Sequence, residues 1–501
     1  MPDEKRPARP KTDLPGTIIA EGVSHGTDMY KTHLNNNVIV FGTPGGGKTY
    51  GIVKPNLLQM NSSYVVLDPK GNLVKEFRGV LEAAGYEVQC LNFTNARESV
   101  HWNPFDLVRT EGDLQSVLGT LVYAEGATLK DPFWDLSSQM LLKTVAQFSQ
   151  AINPRLTLRD ILRWLDVMNE PATLCDGQLS RRYMDRFDEI IECWAKGQTG
   201  SDALPKDCCR ADARLRQKLV AQWYQIKMVS RAPETFACIK ITLLAKVARM
   251  RTDELLNVLD GGPDSIDIAS IGKRKTAVFV VVSDMDHDLD ALVSVFYTQL
   301  FKELCRVADE ECDNNDNRLP VPVRVIMDDF ANQAPVPNFD SVIAAARSRD
   351  IWLMPICQAT SQLEQRYGAA AATIIGCCDT AVYIGVNDMG TARELSLRSN
   401  IPVDKIQSLP LGQALVFTRG TGCQRARSYD LKGHPNYGAL LDWKEASAGA
   451  GDKRRRSWVR ERGAGGTSFL NPCLKLRLGV FCRTAPRSEC YSQKLKAWGC
   501  P

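Results

Sequence analysis

No stretch of this chain can cross a bilayer as a helix. That takes roughly 18 consecutive apolar residues, and the best run, Ala277 to Val282, is strand-length. Histidine is scarce, with 5 scattered residues, and the 16 cysteines never form C-x-x-C; Cys208-Cys209 and Cys377-Cys378 are adjacent pairs instead. Zinc-ligand spacing is therefore missing. A disulfide framework is not suggested either. Cys238, Cys305, Cys357 and Cys377 sit in apolar or helical surroundings, where cysteine acts as a small buried hydrophobe, and a reducing cytoplasm fits such thiols. Met1 to Lys11 is rich in Pro, Lys and Arg without an apolar centre, so it reads as neither signal peptide nor anchor. Most of the chain also lacks net positive charge. The net +4 is misleading, because residues 453–501 hold 12 Lys/Arg against 2 acids, which leaves −6 for residues 1–452. Any nucleic-acid contact on the body must then be a local patch.

What is present is a phosphate loop. Gly42-Thr43-Pro44-Gly45-Gly46-Gly47-Lys48-Thr49 fits G-x-x-x-x-G-K-S/T. The apolar run Val38–Phe41 before it reads as a buried strand, and Tyr50 onward as a helix. Glycines let backbone N–H groups close on phosphate oxygens, and the helix N-terminus adds partial positive charge. Lys48 is placed to reach the β/γ-phosphates and the Thr49 hydroxyl to bind Mg²⁺. No Asn-Lys-x-Asp guanine-reading motif is found, which favours ATP.

At 501 residues the chain exceeds the usual size of one core, so more than one structural unit is expected. Strand-like runs recur at Tyr64–Asp68, Glu87–Phe93, Thr276–Ser283, Val323–Asp329, Ile351–Cys357, Thr380–Val386 and Ala414–Thr418, with helical patterns such as Asn72–Ala84 and Asp288–Val307 between many of them. This alternation predicts an α/β fold with a doubly wound, mostly parallel sheet. From about Glu111 to Arg251 strand signals give way to helical patterns: Leu114–Tyr123, Phe133–Ile152, Leu158–Met168, Arg181–Cys193 and Arg210–Val229. Sheet strands resume afterwards, so an inserted all-α domain is the economical reading and a helical domain in series the alternative. The expected division is a basic, Pro-rich segment 1–15, a first half-domain 16–110, the insert 111–251, a second half-domain 252–445 and a basic tail 446–501. In the tail, Cys473, Cys482, Cys490 and Cys500 fall at intervals of 9, 8 and 10, which match no metal motif. A disordered basic segment is the simplest expectation there. An altered reading frame and a nucleic-acid-binding arm through Lys453–Arg456 are the others.

A P-loop ATPase also needs an acidic group at the end of an apolar strand. Val323-Arg324-Val325-Ile326-Met327-Asp328-Asp329 supplies it, with Asp328 for Mg²⁺ and Asp329 to polarise the attacking water. Gly22-Val23-Ser24-His25-Gly26 fits the G-x-S-x-G hydrolase elbow. That elbow must top a strand and open a helix, so Ser24 is expected to be a loop residue instead.

Together these residues resemble the type IV coupling proteins, the TraG/TraD-like conjugative DNA-transfer ATPases, over about residues 16–435. The P-loop matches Gly42–Thr49. The family's D-P-K-G element stands at Asp68-Pro69-Lys70-Gly71, its D-E-F-A-N region at Asp328-Asp329-Phe330-Ala331-Asn332, and its Q-x-x-x-Q-L-x-x-x-Y-G stretch at Gln358–Leu363 and Tyr367-Gly368. The resemblance implies a RecA-like P-loop NTPase with an all-α insert, using ATP and Mg²⁺. It implies a homo-oligomeric, hexameric ring at the cytoplasmic face of the bacterial membrane. Such a ring moves single-stranded DNA with its relaxase toward the type IV secretion channel. It further implies an arginine finger at Arg347, eleven residues before Gln358, with Arg349 as rival, and a γ-phosphate-sensing Gln358. Two departures stand out. The family's membrane-spanning helices are missing, as in a shortened member, a fragment or one recruited by a partner, and the usual Glu is Asp329. The competing readings are an FtsK-type DNA pump and a non-catalytic docking adaptor for relaxosome proteins through residues 111–251.

Overall fold

Strands buried on both faces carry continuous apolar runs rather than alternation, and the central strands here do so. The computed structural model describes residues 7–123, 133–169, 186–197, 212–230, 232–312 and 316–446, all within one compact unit, Met1–Ala446. The basic tail from 447 on, Cys208-Cys209 and residues 1–6 lie outside the described residues. The strands are β1 Thr17–Ala20, β2 Val23–His25, β3 Val38–Gly42, β4 Ser63–Pro69, β5 Glu87–Asn92, β6 Thr276–Val282, β7 Val323–Met327, β8 Ile351–Cys357, β9 Thr380–Ile384, β10 Gln413–Thr418 and β11 Gly422–Arg427. Strands β1 and β2 form a separate antiparallel hairpin. The other nine form one sheet in the order β11-β10-β9-β3-β8-β7-β4-β6-β5. It is parallel from β5 through β9; at one edge β10 runs antiparallel to β9, and β11, antiparallel to β10, returns to the common direction.

One face of the sheet is covered by the β1–β2 hairpin and the helix Asn72–Ala83, and the other by the long helix Asp290–Glu311. Between β5 and β6, the described part of residues 111–251 holds helices and turns and no strand. Phe148 is the centre of its core, with ring centroids 4.8 Å from Trp164, 4.7 Å from Phe187 and 4.8 Å from Trp194. This core is continuous with the apolar layer on the sheet face beneath Asp290–Glu311.

The structure differs from several sequence expectations. Ser24 is on β2 rather than in a loop, exposed and followed by no nucleophile-elbow helix. Cys238, expected to be buried, is exposed on the helix Pro233–Val247. The helix after the phosphate loop does not start as a regular α-helix. Thr49–Val53 forms a wide π-type turn before the α-helix Lys54–Leu58. Such turns concentrate at functional sites.

Candidate active site

The phosphate loop leaves the C-terminal end of β3, where ligands of open α/β sheets bind. Gly42 lies too close to the neighbouring strand for any side chain: a Cβ there would be 2.9 Å from the Ile384 carbonyl oxygen. Gly45 and Gly47 take left-handed φ values of 73° and 90°, which side chains resist. Thr43 N–H donates to Ile384 O at 3.3 Å and Gly46 N–H to Thr43 O at 3.0 Å, so the loop is anchored to β9, while Pro44 and Gly45 are exposed at its tip. The Lys48 ammonium is folded back on the loop, donating to Gly42 O at 2.6 Å and Thr43 O at 3.3 Å.

The acidic pair reaches the loop from β7, two strands away. The Thr49 hydroxyl donates to Asp328 Oδ2 at 2.8 Å. Burial pushes the Asp328 carboxyl above the usual range, opposed by the Thr49 bond, reinforced by nearby Asp329 and opposed again by Lys48. Asp329 is in the left-handed region at φ 53°, a conformation Asp and Asn tolerate better than most residues. Strand β8 lies between β3 and β7, and the residue after it, Gln358, donates from Nε2 to Asp329 Oδ1 at 3.3 Å. Loop and acidic strand thus meet through the Thr49–Asp328 contact, and the end of β8 joins them through Gln358–Asp329.

A third carboxylate belongs to the neighbourhood. Asp68, at the end of β4, is buried and accepts from Val74 N–H at 2.9 Å. Burial raises its pKa, against the N–H groups of the helix that starts at Asn72. Sequence reasoning gave Asp68 no role; the D-P-K-G element was its signal. Lys70, at a left-handed φ of 81°, pairs with Asp284 at 2.9 Å on the solvent side.

Arg347 does not join this group. It lies in the turn Arg347–Arg349 before β8, whereas Gln358 follows β8, so the strand's seven residues, at about 3.3 Å each, separate them. Arg347 is exposed and makes no ion pair or side-chain hydrogen bond among the described residues. Its rival is occupied: Arg349 grips Asp309 with Nε and Nη2, each at 2.8 Å, and Ala345 O with Nη1 at 2.8 Å.

The family model for type IV secretory system conjugative DNA transfer matches residues 11–399. Among solved structures, the bacterial conjugative coupling protein TrwBdeltaN70 with sulphate is similar at 16% identity, covering 84% of this chain and 90% of that one, with a TM-score of 0.57. Plasmid coupling protein TrwB with the ATP analogue ADPNP gives 17% identity, 83% and 89% coverage and a TM-score of 0.56. TrwB with ADP and Mg²⁺ gives 16%, 84%, 90% and 0.57. No curated protein sequence gives a significant match. These likenesses establish the expected fold class, an α/β P-loop architecture with a large, mostly parallel sheet.

Proposed function

We infer that this chain, which belongs to the conjugative DNA transfer family of type IV secretory systems, is an ATPase motor that moves DNA toward the secretion channel. The observation that carries the reading is the Thr49–Asp328 contact at 2.8 Å. It puts a P-loop hydroxyl and a strand-end carboxylate, two hard oxygen donors suited to Mg²⁺, on one spot beside Lys48. Thr49 and Asp328 are the residues that would hold the ion, whose charge would neutralise phosphate oxygens. Lys48, now bound to loop carbonyls, is free to exchange them for phosphate oxygens. Asp329 is the group to orient water and Gln358, its hydrogen-bond partner, the group to register the γ-phosphate. The related TrwB, whose structures contain ADPNP or ADP with Mg²⁺, supports the same nucleotide here.

The proposed partners follow the family: single-stranded DNA, the relaxase, the channel components and further copies of this chain in a ring. The described part of residues 111–251, which holds helices and no strand, is the part we assign to relaxosome proteins. Among the described residues no helix is long and apolar enough to cross a membrane. The conjugative match sets the FtsK-type alternative aside. The adaptor alternative is tested by measuring ATP turnover of the full chain with Mg²⁺, with and without single-stranded DNA. Turnover stimulated by DNA is expected, and its absence under both conditions would leave the adaptor.

A further inference from the structure

The catalytic groups all lie on one side of β3. Gln358 follows β8, and Asp328 and Asp329 follow β7, so the γ-phosphate belongs over those strands. The sugar and base then extend over the other side, toward β9, β10 and β11. Because β10 is antiparallel, Ala414 pairs with Ile384 and Gln413 with Arg427, which brings the exit of β11 to the phosphate-loop end of the sheet. There the chain crosses the first helical turn. A Cβ on Gly51 would lie 3.5 Å from Tyr429 O and 3.6 Å from Ser428 Cβ. Tyr50, the residue directly after Thr49, is 41% exposed. Its hydroxyl donates to Asp430 Oδ1 at 3.0 Å, and Asp430 is itself fixed by Lys432 N–H at 3.1 Å. The same edge carries Leu411, 93% exposed, held there by the Ser428 N–H bond to Gly412 O at 2.7 Å. An aromatic ring tethered at its far end thus stands one residue beyond the phosphate loop, on the side of β3 away from Gln358 and the acidic pair.

We propose that Tyr50, clasped by Asp430, is the platform on which the base of the bound nucleotide stacks. The proposal rests on the nucleotide-binding reading above and adds the residue that grips the non-phosphate half. Every base has a π-face, so stacking of this kind adds affinity without choosing among bases. Adenine and guanine nucleotides are both accepted.

The test compares ATP with inorganic tripolyphosphate, which has the phosphates and no base, by titration calorimetry of the full chain with Mg²⁺. Tyr50→Ala weakens ATP by about tenfold or more, as loss of base–aromatic stacking does, and leaves tripolyphosphate unchanged. Tyr50→Phe, which keeps the ring and drops the Asp430 clasp, stays near the parent for both ligands. In Tyr50→Trp, ATP quenches the indole fluorescence beyond the parent's change and tripolyphosphate does not. Equal ATP affinity in Tyr50→Ala and parent would overturn the proposal while leaving the phosphate loop intact. Equal weakening of both ligands would also overturn it, since Tyr50 then only supports the loop. Should Tyr50→Ala not fold, absence of base-dependent quenching in Tyr50→Trp overturns it instead. If the parent binds neither ligand, the nucleotide reading itself falls, and the stacking proposal with it.

Discussion

Lys48 donates to two carbonyls of its own loop, Gly42 O and Thr43 O, a position that phosphate oxygens would contest. Lys48→Ala is therefore expected to lose ATP hydrolysis by several hundred-fold or more, on the order of the ~3–4 kcal/mol that a single transition-state contact supplies. The circular-dichroism melt should hardly move; a parental kcat would remove Lys48 from the reaction. Asp329 is argued by the same geometry. Asp329→Asn keeps the left-handed backbone and the shape, so a strong fall in hydrolysis without lost stability is expected. Asp329→Glu restores the acid usual in this position of the family, so hydrolysis is kept or raised. The longer side chain must adopt φ 53°, however, and the protein should be less stable by about 1 kcal/mol. Turnover equal to the parent in both variants would show that another group, Asp68 being the nearest candidate, positions water. These side chains could be singled out in the sequence because their types and spacing are those that phosphate and Mg²⁺ ask for. The contact of Gln358 with Asp329 and the burial of Asp68 could not, since they depend on which strands become neighbours.

Among the elements, the strands of the sheet interior were readable because burial on both faces leaves only β-branched and apolar residues, as in Thr276-Ala277-Val278-Phe279-Val280-Val281-Val282. Strand β11 was not: Gly-Cys-Gln-Arg-Ala-Arg is an edge strand, mostly solvent-facing, and its polarity looks like loop. Arg324 was equally hidden, a cation inside an apolar strand that proves fully buried, donating to the Thr17 hydroxyl at 2.7 Å and lying 4.9 Å from the Trp352 ring centre. The segment after β11 is fastened by His434, which also had no sequence signal. Its Nδ1 accepts from Asn436 N–H at 3.1 Å, so its Nε2 carries the proton and donates to Gln59 Oε1 at 3.1 Å. Burial pulls its pKa from 6.5 down to about 4. The folded state thus wants the ring neutral. The stability this contributes is complete above pH 6.5 and is lost as pH falls toward 4, amounting to at most about 3 kcal/mol. Urea unfolding at pH 7.5, 5.5 and 4.5 should show the parent losing stability more steeply than His434→Asn, which starts lower and declines less. Identical pH slopes in the two proteins would assign the acid sensitivity to other groups.

At the scale of the whole molecule, the position of Arg347 is the argument for assembly. A finger that completes its own subunit's site would lie near Asp329, yet Arg347 sits before β8 and Gln358 after it, at opposite ends of a strand about 20 Å long. It has neither ion pair nor side-chain hydrogen bond among the described residues, while Arg349 two positions on is held by Asp309. An exposed guanidinium without ion pair or side-chain hydrogen bond among the described residues, at the end of β8 away from the phosphate loop, is suited to a neighbour's nucleotide. Arg347→Ala should then leave nucleotide affinity near the parent and lower kcat by about 10³ or more, as loss of an arginine finger does. If Arg347 acts as such a finger, its contribution would exist only between subunits, and parental ATPase activity should rise more than linearly with protein concentration. Mixing Arg347→Ala with Lys48→Ala should restore part of the turnover. In a mixed ring, the intact P-loop of the first variant faces the intact arginine of the second. Co-assembly of the two has to be verified first, for instance by pull-down through a tag on one of them. Linear concentration dependence, together with no rescue in verified mixed assemblies, would return Arg347 to an ordinary surface charge. Rescue by Arg349→Ala mixtures alone would move the finger to the rival, at the cost of its Asp309 pair.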